Sequence, residues 1–175
     1  EGLENILTTC PLCKQKYSLY TKKHDIFCEN CGKLTSINNR YAFTDGFVFK
    51  NHLEWYNWQK DILEKAIADD PVFTLQSDVE LRMRSSDGKT LTEQVGVGSC
   101  ILNINGLTYI GTKHGEAFEK HFPLDSIYRL LFGAGEDFEV YSDDEIYYFV
   151  PSDKRSCVEW YLASMILYDK NKKSS

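Results

Sequence analysis

A mainly β chain with two helices is what this sequence predicts, and three features carry the prediction. Four cysteines come as two Cys-x2-Cys pairs near the start, on stretches that otherwise read as short strands. Across residues 72–150 apolar and polar residues alternate with a period of two between turn signals. Two stretches, residues 51–67 and the one after Pro151, repeat apolar residues at the three- and four-residue steps of a helix.

The first element is set by Cys10-Pro11-Leu12-Cys13 and Cys28-Glu29-Asn30-Cys31-Gly32-Lys33, fourteen residues apart. Two such pairs supply four thiolates on two tight turns, the set that a tetrahedral Zn²⁺ takes. Pro11 stiffens the first turn and Gly32 frees the second, while Lys14 and Lys33 can offset the charge of four thiolates. Between the pairs, Tyr17-Ser18-Leu19-Tyr20 and Asp25-Ile26-Phe27 read as two short strands. Residues 1–50 therefore have the form of a zinc ribbon, with Cys10, Cys13, Cys28 and Cys31 as ligands. Iron would fit the same sulfurs. Two disulfides would suit a secreted chain, and a redox dithiol would need a βαβ setting that is missing. His24 lies between the pairs and offers a replacement ligand, or a solvated position on a hairpin. Four cysteines close every coordination position, so the metal is expected to be structural rather than catalytic. It staples a segment too small to build its own core.

Residues 1–8 form a short lead. After the second pair, Leu34-Thr35-Ser36-Ile37 and Tyr41-Ala42-Phe43 flank Asn38-Asn39 and read as a hairpin closing the ribbon. Residues 51–70 follow as a linking amphipathic helix, capped by Asn51 and ended by Asp69-Asp70-Pro71. Leu53, Trp55, Tyr56, Trp58, Ile62, Leu63, Ala66 and Ile67 make its apolar face. Its aromatic cluster suits a stacking platform or a brace between two modules, and the brace is the expected role.

Residues 71–175 then give about seven antiparallel strands and a final helix. Phe73-Thr74-Leu75 and Val79-Glu80-Leu81-Arg82-Met83 form one long strand before the turn Ser85-Ser86-Asp87-Gly88. Ser99-Cys100-Ile101-Leu102-Asn103-Ile104 and Leu107-Thr108-Tyr109-Ile110-Gly111 pair across Asn105-Gly106. Residues 118–122 add a strand, and residues 124–131 a turn and another. Phe138-Glu139-Val140-Tyr141 and Ile146-Tyr147-Tyr148-Phe149-Val150 pair across Ser142-Asp143-Asp144-Glu145. The last helix carries Val158, Trp160, Tyr161, Ala163, Met165, Ile166, Leu167 and Tyr168. This order is that of a pleckstrin-homology or GRAM-like β-barrel capped by a C-terminal helix, the expected architecture, with other β architectures compatible with the same strands.

Composition narrows the function classes. The 175 residues, 42% hydrophobic and 14% aromatic, suit one ordinary domain plus a small one. No apolar run approaches the length that crosses a bilayer. Residues 1–50 hold seven Lys or Arg against five acids, the remainder thirteen against twenty-one, so the larger part is clearly acidic. Nucleic-acid binders concentrate basic charge on one face, and none is concentrated here. Cys100 and Cys157 sit in apolar patterns as buried thiols, and the sparse cysteine usage fits a reducing cytosol. The first residue, Glu1, suggests a processed chain or an excised piece.

Other groupings have plainer readings. Gly96-Val97-Gly98-Ser99 hints at a phosphate loop, but no helix start follows, and hairpin geometry is expected. His114 and His121, with Glu116 and Glu119, offer a metal-binding set, but solvated polar positions are the expected reading. Glu136-Asp137-Phe138-Glu139 and Asp143-Asp144-Glu145 read as a solvated rim.

The order Cys-Pro-x-Cys, Cys-x-x-Cys-Gly-Lys, then Leu53-Glu54-Trp55-Tyr56-Asn57-Trp58-Gln59, then a β segment ending Tyr147-Tyr148-Phe149-Val150-Pro151 and an apolar helix, resembles one particular tail. It is similar to the region following the catalytic domain in a group of Gram-positive bacterial 1-acyl-sn-glycerol-3-phosphate acyltransferases. In that family the catalytic half carries a His-x4-Asp pair. Here the fifth residue after His24 is Glu29, after His52 Asn57, after His114 Glu119 and after His121 Ser126. The resemblance thus implies a noncatalytic accessory module of a phospholipid-synthesis enzyme, with the parent chain's catalytic domain as its partner. It also implies a cytoplasmic place, peripheral to the inner face of the plasma membrane only through that parent. A further protein partner is expected at the β domain. The rival expectation is a free-standing interaction or nucleic-acid-binding ribbon using Lys14, Lys16, Lys22, Lys23 and Lys33.

Overall fold

The computed structural model describes residues 2–85, 90–127 and 130–174. The turn expected at Ser85-Ser86-Asp87-Gly88 lies mostly outside the described residues.

The cysteine segment folds as a three-stranded antiparallel meander of β1 (Leu19–Lys22), β2 (Asp25–Cys28) and β3 (Gly32–Ser36). A single bridge, Thr9 to Lys16, joins the arms of the first cysteine turn. Beyond β3, an Ile37–Phe43 bridge closes the expected hairpin. The Asn38 side-chain oxygen holds that loop by accepting from the Arg40 and Ala42 amides at 2.9 and 3.1 Å.

Helix α1 (His52–Asp69) starts where the sequence places it. The Asn51 side chain accepts from the Glu54 amide at 3.0 Å, and the Glu54 carboxylate accepts from the Lys50 amide at 2.8 Å. Its buried stripe is Trp55, Gln59, Leu63 and Ile67, one residue per turn. That is narrower than the periodicity suggested, because Leu53 and Ile62 remain 58% and 41% exposed. A helix laid across the seam between two cores buries only the side facing the seam.

The second sheet contains β4 (Leu75–Arg84), β5 (Thr92–Asn103), β6 (Gly106–Lys113), β7 (Glu116–Phe122), β8 (Leu131–Gly133), β9 (Asp137–Ser142) and β10 (Glu145–Pro151). Its order is β7-β6-β5-β4-β10-β9-β8, antiparallel throughout. The expected closed barrel is corrected to an open sheet, since β7 and β8 each have one strand neighbour. β8 is three residues long and offers too short an edge for closure. Side chains span the gap instead. Lys120 of β7 pairs with Asp143 in the β9–β10 turn, and Lys113 lies 3.3 Å from the Glu145 carboxylate. The Phe122 and Tyr147 rings meet edge to face at 5.2 Å. In a flat sheet β7 and β10, four steps apart, would be separated by ~19 Å, so the sheet is strongly curled.

Glycine sets that curl. Gly98 lies opposite Gly111, and a Cβ at either position would sit 2.4 Å from a carbonyl oxygen of the other strand. The Gly96-Val97-Gly98-Ser99 stretch is therefore neither a phosphate loop nor a hairpin but the middle of β5. Gly98→Val is expected to cost about 3 kcal/mol in urea unfolding, because the two nearest atoms, of Ile110 and Gly111, are backbone and cannot yield cheaply. The hairpin at Asn105-Gly106 is shifted by one residue. Ile104 and Asn105 make the turn, Asn103 caps it by accepting from the Asn105 amide at 2.9 Å, and Gly106 restarts the strand.

Residues 124–131 also differ from the expected turn and strand. A one-turn helix, α2 (Leu124–Ile127), precedes β8, because Leu124 and Ile127 both bury on the same side. Helix α3 (Cys157–Ser174) then covers one end of the curled sheet, with Trp160 stacked on Phe138 at 4.6 Å. Two apolar clusters result. One, around the sheet and α3, includes Leu63 and Ile67. The other consists of Leu7, Cys10, Leu19, Ile26, Cys28, Phe43 and Trp55. Helix α1 contributes to both.

Candidate metal centre

The two Cys-x2-Cys turns bring Cys10, Cys13, Cys28 and Cys31 together, with all four Sγ atoms within 4.8 Å of one another. Among the described residues this is the one such group of potential ligands. The thiols are free. Cys10 and Cys31 are 3.9 Å apart and Cys13 and Cys28 3.7 Å. Four sulfurs held ~2.3 Å from a central ion define a tetrahedron with edges of about 3.8 Å, and these two distances match such edges.

Local backbone explains how the sulfurs converge. The residue after each pair, Lys14 and Gly32, turns left-handed at φ 64 and 74. That places the two turns in equivalent conformations although only one carries glycine. In the first turn the Lys14 amide donates to the Cys10 carbonyl at 3.0 Å, and the Cys10 amide donates to the Gln15 carbonyl. Cys10 and Cys28 are buried and Cys13 and Cys31 exposed, so the site has an inner and an outer edge.

Cys10, Cys28 and Cys31 differ in acidity. Burial pushes Cys28 up, but hydrogen bonds from the Ser18 hydroxyl, 3.3 Å away, and from the Asn30 and Cys31 amides outweigh it and bring Cys28 to about 6. Cys31 is pushed to about 12, first by the adjacent Cys13 thiol, and burial raises Cys10. Cys28 is thus shifted toward the thiolate, and Cys10 and Cys31 toward the protonated thiol. Metal uptake is expected to release protons, and chelator competition should show affinity falling as the pH drops from 7 to 5.

The structure also places the other candidates. His24 is exposed in the β1–β2 turn and is not among the clustered ligands. Lys33 pairs with Asp25 at 2.9 Å. The Lys14 ammonium donates to the Pro11 carbonyl at 2.7 Å and lies 4.5 Å from the centre of the Trp58 ring. Both lysines are thus engaged beside the site rather than on the sulfurs. His114 sits exposed in the β6–β7 turn, and exposed His121 shares a hydrogen bond with Thr108 at 2.9 Å. Cys100 and Cys157 are buried, and burial raises both thiols, Cys157 to about 12.

Several contacts that support the site are not legible in the sequence. The Trp55 indole N–H donates to the Thr9 carbonyl at 2.9 Å, next to Cys10. The Gln59 amide holds the Thr8 amide at 2.9 Å and the Ile6 carbonyl at 2.6 Å. Glu159, at the start of α3 and 5% exposed, takes both the Lys16 ammonium and the Tyr17 hydroxyl. Burial, then the Glu159 charge, raises Tyr17 far above the ordinary phenol range. Gln59 lies on a helical period that announces it as a face residue. Glu159 carries no such signal.

No helix among the described residues is long and apolar enough to cross a membrane. Compared with protein-family models, with curated proteins and with solved structures, the chain matches none.

Proposed function

We propose that this chain is a noncatalytic zinc-binding module: a zinc ribbon (residues 1–50) braced by a helix (residues 51–70) onto a β domain of pleckstrin-homology or GRAM type (residues 71–175). The observation that carries the reading is the four-sulfur cluster, with edges of 3.7 and 3.9 Å. Sulfur softness and tetrahedral spacing favour zinc, and four protein ligands leave no position for a reacting water. The metal therefore fixes shape. The β-domain assignment is supported by a four-strand meander, a three-strand meander and then a helix covering one end of the curl.

The role that fits such a module is accessory to a phospholipid-synthesis acyltransferase, with membrane contact left to the catalytic partner. The cysteine spacing and the Trp55-Tyr56-Asn57-Trp58 helix support it. The nucleic-acid reading is weaker. Of its five lysines, Lys14, Lys16 and Lys33 are engaged within the fold, and the rest of the chain is acidic.

The test incubates the zinc-loaded chain with lysophosphatidate and an acyl donor, alone and with a His-x4-Asp acyltransferase domain. No turnover by the chain alone, together with binding to the catalytic domain, is the expected result. Turnover by the chain itself overturns the noncatalytic reading. Absence of that binding, alongside nucleic-acid affinity that falls steeply with salt, overturns the accessory one.

A further inference from the structure

Outside the cysteine cluster, the feature that stands out is a buried carboxylate served by a distant part of the chain. Glu159 lies in the first turn of α3, yet its side-chain partners are Lys16 and Tyr17, 142 residues away from it in the case of Tyr17. Both belong to the loop between the two cysteine pairs, three and four positions after Cys13. Tyr17 holds a left-handed backbone at φ 55, a conformation that tyrosine avoids unless its surroundings impose it. Beside this contact is a cavity of about 160 Å³ between the cysteine segment, α1 and α3, walled by Thr8, Gln59, Leu63, Val158 and Leu162 among others.

We propose that metal occupancy of the four-cysteine site and seating of residues 1–50 on the α1–α3 face form one linked equilibrium, latched by Glu159 through Lys16 and Tyr17. The inference rests on the metal-binding reading above and adds a regulatory role to it. With the ion bound, the loop from Cys13 to Cys28 is closed at both ends, and Lys16 and Tyr17 are held over Glu159. When the ion leaves, the loop relaxes, the latch lets go, and the apolar wall of the cavity opens to solvent. Linkage runs both ways, so a change at Glu159, which touches no sulfur, must alter metal affinity by the factor with which the metal stabilises seating. Glu159 is thus a positioning residue for a site it does not ligate.

The experiment measures zinc affinity by chelator competition for the full chain and for Glu159→Gln, Tyr17→Phe and Val140→Ala. Glu159→Gln should weaken zinc binding about tenfold, and Tyr17→Phe should weaken it in the same direction. Val140→Ala, buried in β9 away from the latch, should lower the melting temperature without changing zinc affinity. Hydrogen exchange gives the reverse arm: removing zinc from the wild-type chain should deprotect residues 158–162 and 63–67 while β5 and β6 stay protected. Unchanged zinc affinity in both latch variants, or unchanged exchange at α1 and α3, overturns the linkage. A wild-type chain that binds no zinc instead overturns the metal reading on which it rests.

Discussion

Replacing Cys28 with serine is expected to unfold residues 1–50 while the seven-stranded sheet keeps its far-ultraviolet β signal. That segment contributes six buried members to its apolar cluster, two of which are the cysteines themselves, and Trp55 of α1 supplies the seventh. Burial on that scale cannot offset the chain entropy of fifty residues. Structural zinc binds zinc-finger peptides with an apparent free energy of about 10–16 kcal/mol, so on the proposed reading the ion is expected to decide whether the segment folds. The sheet has its own core of more than twenty buried side chains and persists. It should melt several degrees lower, because Thr8, Ile6 and Lys16 no longer hold Gln59 and Glu159. Hydrogen exchange resolves the two parts. Loss of protection in β5 and β6 to the same extent as in β1–β3 would show a single cooperative unit instead.

Trp55→Ala is the second large effect, expected to cost about 4 kcal/mol in urea unfolding. The indole is fully buried and packs against Phe43, Phe47 and Phe49 at centroid distances of 5.9, 5.4 and 5.8 Å. Truncation leaves a cavity among three rings and strips the Thr9 carbonyl of its donor, and the two losses add. Trp55→Phe fills most of the volume and should cost about 1–2 kcal/mol, near the value of an unsatisfied buried acceptor. A loss below ~1 kcal/mol for the alanine variant would mean that the aromatic cluster is not what joins α1 to the cysteine segment.

What could be read in the sequence was the part encoded over short distances. The cysteine pairs name their own turns, Asn51 announces the start of α1, and Ser142-Asp143-Asp144-Glu145 separates β9 from β10 where expected. The remainder depends on contacts between distant stretches. Gly96 and Gly98 resemble loop residues locally, and their place inside β5 follows only from how closely β6 approaches. The curl of the sheet, and hence its openness, is set by glycines facing each other and by Lys113 and Lys120 reaching the far hairpin. Lys14 turns left-handed like Gly32 because the second cysteine of each pair must face the first, which residue type alone does not reveal. Glu159 reads as an ordinary first-turn acid until Lys16 and Tyr17 are folded against it.

X-ray absorption at the metal edge, on the purified chain with metal content measured in parallel, tests the central claim most directly. One zinc per chain with four sulfurs at ~2.3 Å and no nitrogen or oxygen neighbour is the predicted result. A chain without stoichiometric metal, or one whose four cysteines are recovered as two disulfides, would contradict it.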